Sequence, residues 1–60
     1  MAKKYVIVSK DYGGNIIEDE VEVEKEEDLN DVSYNIVMDN GGGGIVNIYE
    51  VLEDGSRVEL

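Results

Sequence analysis

Cysteine and histidine are both absent from this chain of 60 residues. The first absence excludes disulfides, and the two together leave a structural zinc site without ligands. A chain this short buries only roughly 60 % of its unfolded surface on folding, and small domains often lean on such cross-links. Stability must therefore come from good local packing or from self-association. Proline is missing too, which removes slow prolyl isomerisation from folding. No apolar run approaches the roughly 18 residues of a membrane helix, and the longest is Tyr5-Val6-Ile7-Val8. Met1-Ala2-Lys3-Lys4 is too briefly apolar for a secretory signal. A cysteine-free composition suits a reducing compartment. The expectation is an intact cytoplasmic protein with no membrane contact.

Bases are scarce: 5 Lys and Arg stand against 15 Asp and Glu, a net charge of −10 at pH 7. Such a surface repels nucleic acid and anionic membranes and favours a protein partner with a basic surface. Direct nucleic-acid binding is not expected. Val, Ile and Leu are frequent and patterned, which argues for a fold rather than for disorder. Residues 1–60 read as a single small acidic domain.

Lys4 to Ser9 is compact, apolar and β-branched, as a strand requires. Asp11-Tyr12-Gly13-Gly14-Asn15 is a turn. From Ile16 to Glu24 the chain alternates, with Val21 and Val23 on one face and Glu18, Glu20, Glu22 and Glu24 on the other. Residues 28–40 carry two patterns. Leu29, Val32, Ile36 and Val37 make one helical stripe, Asp28 stands as an N-cap, and Asn40-Gly41 supplies a left-handed stop. Yet Val32, Tyr34, Ile36 and Met38 also alternate strictly, and their neighbours are poor helix formers. Propensity favours strand; the paired start and stop signals favour helix, and helix is the reading taken.

Gly41 to Gly44 reads as a flexible connector. Ile45 to Leu52 is a strand, with Ile45, Asn47, Tyr49 and Val51 on one side. Asp54-Gly55 signals a two-residue hairpin, and Arg57 to Leu60 returns as a short strand. The expected architecture is α+β, a ββαββ antiparallel sheet with one helix. The alternative is an all-β five-stranded meander or small barrel. The inner face should hold Tyr5, Ile7, Val21, Val23, Ile48 and Leu52. Because the first and third strands are apolar on both sides, one helix should leave an exposed apolar patch.

No catalytic, cofactor-binding or metal-binding constellation stands out. Ser9, Ser33 and Ser56 have no histidine or cysteine to activate them, and Ser9 and Lys10 point to opposite strand faces. The glycine run follows the helix, whereas phosphate loops precede one. Asp39-Asn40-Gly41 and Asp11 to Asn15 lack the alternating oxygens and closing glutamate of a calcium loop. An enzyme is not expected. The candidate partner-binding residues are Glu18, Glu20, Glu22, Glu24, Glu26, Glu27, Asp28 and Asp31. Along a strand, alternate carboxylates sit about 6.7 Å apart, sparser than the roughly 1.7 Å between duplex phosphates along the axis. The following turn would thicken the patch. A solvated, solubilising strand face is the plainer reading of the same residues.

Lys4-Tyr5-Val6-Ile7-Val8, the Gly14-Asn15 turn, the glutamate-rich strand, Glu27-Asp28-Leu29, Asn40-Gly41 and Ile48-Tyr49-Glu50-Val51 together resemble short acidic accessory proteins of phages and mobile elements. The resemblance spans nearly the whole chain, contains no diagnostic motif and transfers no functional residue. The helix departs from it in lacking Ala, Glu and Lys. It implies a protein that binds a host protein and alters it, in some cases as a nucleic-acid mimic. The expected function is a non-enzymatic interaction module, in its narrower form an acidic mimic that inhibits a basic host protein. The alternative is a structural protein that forms homodimers or larger homo-oligomers through an apolar sheet face.

Overall fold

The computed structural model describes residues 2–60. The architecture is α+β, with one helix on a four-stranded antiparallel sheet. Strand β1 spans Lys3–Lys10, β2 Ile16–Val23, β3 Ile45–Val51 and β4 Arg57–Glu59. A 3₁₀ turn, Glu26–Asp28, leads into helix α1, Leu29–Asp39. The order across the sheet is β2-β1-β3-β4. The five-stranded all-β alternative is overturned: four strands form and residues 29–39 are helical. The observed order also differs from a plain ββαββ by the 3₁₀ turn before the helix. Among the described residues no helix is long and apolar enough to cross a membrane.

β1 is central because its β-branched and aromatic residues can be buried on both faces. Tyr5, Ile7 and Ser9 lie on the helix side and Val6 on the other, all of them buried. β2 and β3 both run antiparallel to β1, hence parallel to each other, and α1 connects them. Tyr5, Val23 and Leu29 form the centre of the core, with Val21, Val32 and Ile48 packed around them. Leu29, Ser33 and Val37 make the buried stripe of α1. Ser33 fits there because its Oγ donates to the Leu29 carbonyl at 2.7 Å, so no polar atom is left bare. Leu52 departs from the expected core: it lies beyond the end of β3 and is exposed.

Asp28 does not cap α1. The 3₁₀ turn already gives it helical dihedrals, φ −82° and ψ −8°, and its side chain makes no capping bond. The extended residue at the true start is Lys25, which has no acceptor in its side chain. Acids in the first turns, Glu26, Glu27, Asp28 and Asp31, still favour the positive end of the helix. At the other end the stop is as expected. Gly42 N–H donates to the Val37 carbonyl at 2.8 Å and Gly41 N–H to that of Met38 at 3.3 Å. With Gly41 at φ +105° this is a Schellman motif.

Asp54-Gly55 does not form a two-residue hairpin. Leu52 N–H donates to the Ser56 carbonyl and Gly55 N–H to that of Leu52, so the loop has three residues, Glu53 to Gly55. A two-residue type I′ turn needs positive φ at both central positions, and only Gly55 adopts it, at +88°. The β1–β2 connection repeats the pattern, with Asp11 bonded to Asn15 and Gly14 to Asp11.

The glycine run is not a loose connector. The Lys10 N–H donates to the Gly44 carbonyl at 2.9 Å. A Cβ on Gly43 would collide with the carbonyl oxygens of Lys10 and Asp11. At Gly43 the run is pressed against the first hairpin, and no side chain fits there. Next to it β3 carries a bulge. Val8 pairs with Asn47 but Ser9 pairs with Ile45, leaving Val46 as the extra residue. The bulge moves Ile45 to the helix side, away from the face it was expected to share with Asn47.

Candidate functional site

The face of the sheet opposite the helix carries Lys4, Val6 and Val8 from β1, Glu18, Glu20 and Glu22 from β2, and Asn47, Tyr49 and Val51 from β3. Arg57 and Glu59 join them from β4. The expected exposed patch is not here. Val6 is only 2 % exposed, although no helix covers it, and Val8, Tyr49 and Val51 are half-buried. Arg57 donates to Glu18 Oε1 at 3.1 Å, linking the two outer strands. In a flat sheet three strand spacings amount to roughly 14 Å. The register adds a four-residue stagger, since Arg57 lies in line with Val51, Lys4 and Glu22, so the contact requires a sheet twisted and curled toward this face. Both partners are about half exposed, so the pair contributes at most about 1 kcal/mol. Lys4 Nζ lies 3.8 Å from Glu20, a looser contact.

The candidate acids fall into two groups. Glu18, Glu20 and Glu22 stand in one row on the outer strand, opposite Val8, Val6 and Lys4. Glu24, Glu26, Glu27 and Asp28 sit past the end of β2, and Asp31 lies in the first turn of α1. All eight are exposed. Because β2 and β3 are parallel, the β3–β4 loop with Glu53 and Asp54 lies at the same end of the sheet as the 3₁₀ turn. The sequence pattern could not reveal this, since it depends on strand order.

Asp19 turns to the helix side. Its Oδ2 accepts from Asn40 Nδ2 at 2.9 Å, and the same nitrogen donates to Ser9 Oγ at 3.1 Å. This cluster ties the end of α1 to the sheet. Among the described residues no three potential metal-ligating side chains converge. Two acids are held by their own turns. The Asn15 side chain and then its backbone N–H bond the Asp11 carboxylate and hold its pKa below 3.8. Ser56, through its hydroxyl and then its N–H, does the same for Asp54.

No family model, curated protein or solved structure matches this chain. The functional reading rests on geometry and charge alone.

Proposed function

We propose that the chain is a non-enzymatic interaction module that holds a basic surface of another protein. One observation carries the reading: three successive outward residues of an edge strand, Glu18, Glu20 and Glu22, are all carboxylates in one exposed row. A net charge of −10 steers a basic partner over long range. The narrower form is a mimic that occupies a nucleic-acid groove, in the manner of accessory proteins of phages, acting in the cytoplasm.

The test is charge reversal of Glu20, Glu22 and Glu24 to lysine, which spares the Arg57–Glu18 bridge. A control with Tyr34, Asn35, Asp39 and Glu50, all on α1 or the helix side of the sheet, changed to lysine has the same net charge. With a partner recovered from a host-like lysate, the first variant should lose about a hundredfold in affinity and the control far less. Equal losses, or none, sink the reading. Displacement of that partner by duplex DNA would select the mimic.

A second reading has its own observation. Ile45, Val58 and Leu60 remain 46 %, 47 % and 60 % exposed, and β4 lies outside the part of the sheet that α1 covers. Homo-oligomerisation there predicts a discrete larger species by light scattering that salt preserves.

A further inference from the structure

β2 is a terminal strand, eight residues long, paired to β1 without a register break. The other terminal strand, β4, has three residues. Edge strands are usually blunted by shortness, bulges, proline or charged side chains. β2, Ile16-Ile17-Glu18-Asp19-Glu20-Val21-Glu22-Val23, uses only the last, and all its charges are of one sign.

Its main chain has a defined direction. The Asp11 N–H bonds the Asn15 carbonyl at 3.1 Å. In an antiparallel ladder the bonded pairs then alternate, falling at Ser9–Ile17, Ile7–Asp19, Tyr5–Val21 and Lys3–Val23. Glu18, Glu20 and Glu22 therefore turn their N–H and C=O groups away from β1, to the open edge. The other side of β1 agrees, since the even-numbered Lys10 donates toward β3 through Gly44. Three of the four residues that offer backbone outward, Ile16 being the fourth, are those whose carboxylates form the row.

We infer that the partner binds here by strand addition. An extended segment with Lys or Arg alternating with apolar residues pairs along β2. Its basic side chains lie against Glu18, Glu20 and Glu22, and its apolar ones beside the half-buried Ile17 and Val21. This rests on the acidic-contact reading and adds the mode of binding. A second copy of the chain is not the occupant, because β2 against β2 would set glutamates opposite glutamates, which destabilises a sheet. The acids make the edge selective: they reject its own kind and admit the opposite charge.

The experiment uses a synthetic peptide of alternating lysine and valine, and the same peptide N-methylated at alternate residues. Binding is followed by NMR and amide exchange on the whole protein at low salt. The unmodified peptide should bind and slow exchange at the Glu18, Glu20 and Glu22 amides, leaving Asp19 and Val21 unchanged. N-methylation on the pairing edge should weaken binding by about tenfold or more. Equal binding of both peptides, with exchange at those glutamates unaltered, overturns strand addition and leaves the acidic contact standing. Failure of both peptides to bind overturns both readings.

Discussion

Three hydroxyls are buried in this molecule, and two of them have partners. Ser33 donates to Leu29 and Ser9 accepts from Asn40. The third, on Tyr5, has none, although its residue is only 1 % exposed. An unpaired buried hydroxyl costs about 1–3 kcal/mol, so Tyr5→Phe should leave the melting temperature equal or raise it. A fall of several degrees on thermal denaturation would show that the hydroxyl has a partner. The turn aspartates give a pH signature. A carboxyl whose folded pKa lies below its unfolded value stabilises the fold above the unfolded value, and that contribution is lost as pH falls through the folded one. The melting-temperature gap between the protein and Asp11→Ala should therefore be constant above about pH 5 and close as pH falls below 3.8. A gap that persists undiminished in stronger acid contradicts the Asn15 bonds.

Among the elements, the glycine run shows how a connection becomes part of the packing. Gly43→Ala drives a methyl into two backbone oxygens of the first hairpin and should cost about 1–3 kcal/mol. That corresponds to at least about 4 °C in a domain of this size. Gly44→Ala meets nothing within 4 Å and suffers only from φ +109°, a cost of about 1 kcal/mol. The Gly43 variant should melt lower, and the opposite ranking would mean that the run is loose after all. This element also marks the limit of what sequence could convey. β2 was legible from alternation, β1 and β3 from β-branched apolar runs, and the helix stop from Asn40-Gly41, because those signals are local. The tight seat of Gly43 was not, since it depends on Lys10 and Asp11 arriving from another connection. The start of α1 misled because an acid before an apolar residue looks the same at an N-cap and in a 3₁₀ turn. The acidic row on β2 was legible as alternation. Its bridge to Arg57, and the placing of Glu53 and Asp54 at the same end of the sheet as the 3₁₀ turn, follow from strand order, which no periodicity encodes.

For the whole molecule, a net charge of −10 on so small a surface means self-repulsion, eased in part where Lys4 and Arg57 meet the acidic row. Raising ionic strength from about 0.01 to 0.15 M shortens the screening length from about 30 to 8 Å. The melting temperature should climb over that interval. A flat response would mean that the curled fold already disperses its acids. The topology carries a consequence of another kind. β1 is the first strand along the chain and also lies inside the sheet, with β2 on one flank and β3 on the other. Its first flank is filled by the next segment to be made, whereas Ile7 must wait for Ile48 before the second is filled. On the ribosome the molecule is thus a hairpin with a bare apolar seam until nearly all of it has emerged. Non-local pairing of this sort slows folding. For that interval, the negative charge along the hairpin's second strand opposes the sealing of two such seams onto each other.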